Sequence, residues 1–214
     1  MGCSSIRKKY DYMSEPDYQK KTKLTQSILS GSEVLSESDI QKILISKVSF
    51  PKKISLAVVR LFDSEEGMDF QTINNEIVDQ FYNKALWGVR VNTVISMPQV
   101  MVSKPVTLSS LRQAAVLLQA DALVIIKPAS FSDWKFQWFE ENKAKGITSL
   151  EVLLLDTRTR VVPYTSLITE TIEISKDKSD YNENELIARA KKASESKALL
   201  QVAPAISKFI STAM

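Results

Sequence analysis

Histidine is missing from all 214 residues. Without it there is no Ser-His-Asp or Cys-His catalysis and no metal site built on imidazole. The single cysteine, Cys3, excludes an internal disulfide and any cysteine-rich zinc site. Glycine is nearly as scarce. The five glycines stand at positions 2, 31, 67, 88 and 146, which leaves no GxxxxGK or GxGxxG phosphate loop. No stretch reaches the roughly 20 apolar residues that a membrane-spanning helix needs. Charge of neither sign dominates: 28 basic residues face 25 acidic ones, for a net +3, with the two signs interspersed. The basic stretch IRKKYDY (6–12) is too short to form the stripe that nucleic acid recruits. No metal, cofactor or nucleic-acid partner is expected.

Carboxylates are the remaining candidates for chemistry. Asp63, Glu65, Glu66 and Asp69 form the densest acidic group, just after the apolar run ISLAVVRLF. A solvated loop leading into a helix accounts for them, since acidic side chains in a first helical turn are favoured by the helix dipole. Asp156-Thr157-Arg158-Thr159 invites a catalytic reading too. Asp and Thr side chains bond nearby backbone amides and close tight turns, which explains the four residues without a reaction. The chain is not expected to be an enzyme.

Position decides the role of Cys3. Residue 3 of a polar tail has no core to enter, and Gly2-Cys3-Ser4-Ser5 resembles the junction at which a bacterial lipoprotein signal peptide is removed. There the Cys becomes the amino terminus and carries the lipid, palmitate included. Met1 then stands in place of a removed signal peptide, as no apolar h-region lies near the start. The eukaryotic rival, acylation of Gly2 with palmitoylation of Cys3, wants Ser or Thr at position 6, where this chain has Ile6. Residues 1–30 are expected to be a flexible leader between anchor and domain, and 31–214 a single domain. The expected location is the periplasm, tethered to the outer membrane through Cys3, with the lipid as the only membrane attachment.

Periodicity supplies the elements. Ser36 and Asp39 give an S-x-x-D helix start, with Ile40, Ile43 and Leu44 as a small apolar face and Pro51 as its stop. KISLAVVRLF (53–62) suits a strand buried on both faces. Phe70, Ile73, Ile77, Phe81 and Leu86 predict a helix of about four turns. VNTVISMPQVMV (91–102) is a second strand region, interrupted by Pro98. Thr107 caps a helix whose Leu108, Leu111, Ala115 and Leu118 share a face. Four strand candidates then follow with no helix between them: 120–127, 132–139, 149–156 and 164–175. Ile125 and Leu153 lie inside unbroken apolar runs. A final helix carries Leu186, Ala190, Ala193 and Leu200 on its face, with Pro204 expected to kink or restart it. The fold class is α+β: a mixed sheet with an antiparallel C-terminal meander, helices packed mainly on one face, and a long C-terminal helix.

LRQAAVLLQADALVIIK followed by LEVLLLDTRTRVVPYTS resembles the family of bacterial envelope proteins that includes the curli secretion lipoprotein CsgG, the TolB amino-terminal domain and the penicillin-binding-protein activator LpoB. The shared features are a helix ending at Ala120-Asp121, a buried strand, and a D-T-x-T turn at Asp156–Thr159. The resemblance covers residues 53 to 210 by element order and is specific over about 60 positions. It implies a non-enzymatic protein that acts in assembly, as a secretion accessory or as an activator by binding protein partners. One departure is Arg160, where the family has Gly after the turn. The substitution predicts a turn that needs no positive φ at that residue.

The aromatic stretch SDWKFQWF (132–139) is the lead for partner binding. Alternation sets Trp134, Phe136 and Trp138 on one face of a strand. Two roles are open: covering the core beneath the C-terminal helix, or forming an exposed ridge that docks a partner, as large aromatics often do. The tip after it, EENKAKG (140–146), is too polar for a membrane. The family's other activity, a CsgG-like secretion pore, needs two membrane hairpins of alternating pattern. The first location shows one aromatic strand and a charged tip. The second, KDKSDYNENE (176–185), has Tyr181 as its only large apolar residue. Both argue against the pore, while homo-oligomerisation is left open.

Overall fold

The structure, a computed structural model, describes residues 36–61, 75–135, 143–177 and 182–212, with the backbone alone over 129–135. Helix α1 (Glu37–Ile45) starts at Ser36, whose hydroxyl accepts the Asp39 amide, so the S-x-x-D start forms as expected. It ends at Ser46, well before Pro51, and buries no residue: Leu44 is 73% exposed. The apolar face read from Ile40, Ile43 and Leu44 therefore joins no core.

Strand β1 (Ile54–Arg60) is buried on both faces, as its unbroken aliphatic run requires. Helix α2 (Asn75–Tyr82) ends before Leu86, which the expected helix included. Asn83 leaves the helix and caps a 3-10 turn, Lys84–Trp87, which carries Leu86. Phe70 and Ile73 lie outside the described residues. Strand β2 (Val91–Ser96) gives way at Pro98 to a second 3-10 turn, Gln99–Met101. Helix α3 (Leu108–Leu117) opens on a reciprocal capping box between Thr107 and Ser110.

Strands β3 (Ala122–Lys135), β4 (Lys143–Asp156) and β5 (Tyr164–Ser175) complete a sheet ordered β2-β1-β3-β4-β5, parallel across β2-β1-β3 and antiparallel thereafter. The chain crosses from β1 to β2 in one direction and returns past β1 to β3 in the other. Right-handed crossovers run in opposite directions put their helices on opposite faces. Accordingly, α2 packs with Leu56, Val58 and Val124 on one face, and α3 packs with Ala57, Val59 and Ile125 on the other. Ile125 is fully buried and Leu153 only partly so.

The two strand candidates 120–127 and 132–139 are joined: β3 runs through Pro128 without a break. Proline is tolerated where its missing N–H costs no ladder bond. Ile126 turns its carbonyl toward β1, accepting Leu61 N–H at 2.8 Å. Two residues on, Pro128 points its nitrogen to the same side, past the last β1 residue that pairs with β3, Arg60. β4 likewise begins at Lys143, inside the stretch expected to be a polar tip. Its alternation was hidden because the inward positions, Ala144 and Gly146, are small while Lys143 and Lys145 point out.

Helix α4 (Glu183–Thr212) crosses the same face as α2 and runs through Pro204 without restarting. Pro204 is exposed, so water can reach the carbonyl its ring leaves without a donor. The buried ridge follows strict four-residue spacing: Leu186, Ala190, Ser194, Ala198, Val202, Ile206 and Ile210. Ala193 and Leu200, expected on that ridge, are half-buried at its flank, and the polar Ser194 takes a central place. Arg90 donates to the Ile210 carbonyl, a cation at the helix's negative end.

Candidate functional site

The antiparallel strands outrun β1. Residues 127–135 of β3, 143–151 of β4 and 167–175 of β5 form a three-stranded arm that has no parallel neighbour among the described residues. Each of β3 and β4 is about 45 Å long, as is α4. The even-numbered side of the arm is covered by the first half of α4. There Ala144 packs with Leu186 and Ala190, Thr148 and Ser194 share a 2.7 Å hydrogen bond, and Glu170 pairs with Lys197 at 2.8 Å. The approach is so close that a Cβ at Gly146 would collide with the Ala190 carbonyl.

Among the described residues no helix covers the odd-numbered side of the arm. Leu167 is 66% exposed, Ile147 is half-buried, and Ser149 and Thr169 share a 3.0 Å hydrogen bond across β4 and β5. Lys143 and Glu173 form an exposed ion pair at 3.4 Å. Such a surface can hold a partner by shape and strand geometry. Neither Leu167 nor the free side of the arm could be identified from the sequence, because the alternation of β5 does not say which face a helix covers.

The first residues of the aromatic stretch, 132–135, end β3 at the far end of this arm. The backbone of Trp134 belongs to β3 and pairs with Ala144. The side chain of Trp134, together with Phe136, Trp138 and Cys3, lies outside the described residues, as do Asp63, Glu65, Glu66, Asp69 and Tyr181.

The Asp156 turn is built as a closure. The Asp156 carboxylate accepts the Arg158 amide at 3.0 Å and the Thr159 hydroxyl at 2.8 Å, and its carbonyl accepts the Arg160 amide. The Thr157 hydroxyl donates to the Ala120 and Asp121 carbonyls at 2.8 and 2.7 Å, alternative acceptors for one proton. Arg112 donates to the Thr157 carbonyl, and burial lowers the pKa of its guanidinium, aided by repulsion from Arg160. Arg160 corrects the expectation drawn from its side chain: its φ is +66, so the turn does take the left-handed conformation there. The Asp156 bonds fix the turn's path, and the backbone follows it without glycine.

Among the described residues no cluster of His, Cys, Asp or Glu could hold a metal ion, and no helix is long and apolar enough to cross a membrane. A shallow cleft between α3 and the Gln99–Met101 turn is lined by Met101, Ser103, Ser110, Gln113, Ala114 and Leu117, none of them titratable.

The architecture is thus an α+β domain with a helix-backed antiparallel arm. No protein-family model matches the chain, and no curated protein matches its sequence. Solved structures are similar in fold. A hypothetical protein from Chlamydia trachomatis is 10% identical with a TM-score of 0.45, covering 74% of this chain and 98% of that one. A minor lipoprotein from Acinetobacter baumannii is 8% identical with a TM-score of 0.37, covering 72% and 93%. The rare lipoprotein B from Shewanella oneidensis is 9% identical with a TM-score of 0.37, covering 74% and 94%.

Proposed function

We propose that this chain is a lipid-anchored, non-enzymatic protein of the bacterial envelope that binds protein partners through the aromatic segment at the end of its arm. The observation that carries the anchor is Cys3, a lone cysteine after Gly2 at the head of a polar leader. The observation that supports docking is placement. β3 carries the backbone of Trp134 to the arm's end, away from the α3-covered core, and Phe136 and Trp138 follow next in sequence. Large aromatics so placed can supply most of an interface's affinity. An assembly, secretion-accessory or activator role in the manner of the CsgG, TolB and LpoB group fits both observations.

The pore alternative must be weighed against a hairpin longer than the single aromatic strand expected at that site. β3 and β4 exceed the roughly 9–11 residues of a bilayer-spanning strand, so length does not exclude it. Packing argues against it, because the even side of the hairpin is committed to α4 through Ala144, Gly146 and Thr148.

Two experiments test the proposal. A precursor carrying its signal peptide and Cys3→Ser is expected to move from the membrane fraction to the soluble periplasm, and unchanged fractionation would remove the anchor. Trp134→Ala with Trp138→Ala is expected to abolish capture of envelope partners while leaving far- and near-ultraviolet dichroism intact. A folded double variant that still captures them excludes the segment, and an unfolded one assigns the aromatics to the core.

A further inference from the structure

The two outer strands end the sheet differently. β2 is short, Val91–Ser96, and its register with β1 slips between Ile54 and Ser55. Shortness and irregularity keep an edge from pairing with another chain. β5 has neither protection. Its register with β4 is unbroken from Leu154↔Tyr164 to Lys143↔Ser175, and YTSLITETIEIS contains no Lys, Pro or Gly.

The ladder decides which residues of β5 face outward. N–H and C=O of one strand residue point to the same side, and the side alternates along the strand. Ile126 faces β1, so the odd residues of β3 bond to β4. The pairings Ile125↔Leu153 and Leu150↔Ile168 carry the alternation across β4. The even residues of β5 therefore bond to β4, and Thr165, Leu167, Thr169, Thr171 and Glu173 turn their backbone groups outward. Among the described residues no backbone bond from another element reaches them.

We propose that β5 pairs antiparallel with β5 of a second copy of this chain, about a two-fold axis at Thr169, joining two sheets into one. In a two-fold interface each contact occurs twice, and only outward-facing residues can form the hydrogen-bonded pairs. Centring on Thr169 sets Leu167 opposite Thr171 and Thr165 opposite Glu173. Between them, Glu170 meets Ile168 and Ser166 meets Ile172. No like charges meet. Moving the axis to Glu170 sets that carboxylate against its own copy, a destabilising arrangement. Moving it to Ile168 sets Glu173 against Pro163, which has no N–H to give. The strand is thus self-complementary about Thr169, and the pairing requires neither the anchor nor the aromatic segment.

Sedimentation velocity of the whole chain at tens of micromolar tests this. The wild type is expected to be a dimer. Thr169 is exposed and meets its own copy, so Thr169→Lys and Thr169→Glu are each expected to sediment as monomers. Mixed in equal amounts, the two variants are expected to regain the dimer, because Lys then faces Glu. A monomeric wild type, single variants that stay dimeric, or a mixture that stays monomeric overturns the proposal. Loss of the wild-type far-ultraviolet spectrum in either variant also counts against it, since Thr169 would then be a folding position and not a free edge.

Discussion

Arg160 holds a conformation that costs a residue with a Cβ about 1–2 kcal/mol, and it does so at φ +66 with the Arg112 guanidinium nearby. Glycine removes that strain and returns part of the gain as unfolded-state entropy, roughly 0.5–1 kcal/mol. Arg160→Gly is therefore expected to stabilise the protein by about 0.5–1 kcal/mol, read as a higher urea midpoint with unchanged slope. A lower midpoint would show that the arginine side chain contributes more than its backbone costs. The sequence disclosed the Asp156 turn but not this φ. Turn closure depends on Asp and Thr types, which are legible, whereas the dihedral at Arg160 depends on where Val161 must go. Val161 accepts the Asp156 amide at 2.9 Å, and that contact lies in three dimensions only.

Between elements, β4 approaches α4 closely at Gly146. A branched side chain there must push the Ala190 backbone away. Gly146→Val is expected to cost about 1–3 kcal/mol and to speed amide exchange in residues 183–194 while leaving 198–210 protected. Uniform exchange along α4 would show that the helix is held as one unit. The same contact explains what sequence patterning could and could not deliver. β1, α3 and the start of α1 follow from apolar runs and caps, which are local. The continuation of β3 through Pro128 was not legible, because tolerance of that proline depends on β1 having ended alongside. The core role of Ser194 was hidden for a related reason: its buried hydroxyl is satisfied by the Lys191 carbonyl in its own helix and by Thr148 on the facing strand. Of the functional surface, the aromatic cluster was visible in composition, while the free edge of β5 emerged only from strand order.

At the scale of the molecule, one helix serves two bodies of structure. The C-terminal half of α4 closes the core over β1 and β3, and its N-terminal half backs the arm. Releasing the arm for insertion into a bilayer would strip apolar residues of both, so dye-loaded vesicles are expected to stay intact when the purified protein is added. Stepwise conductance in a planar bilayer would overturn that expectation. The position of α4 in the chain also sets a timetable. All five strands leave the ribosome before the helix that covers Leu150, Val152, Leu154 and Ile168. A nascent chain at that stage has the apolar side of β4 and β5 bare, a state poorly stable and prone to aggregate. Folding of the domain therefore waits for its last helix, and the unfinished chain stays loose enough to be held by a chaperone or passed through a narrow channel.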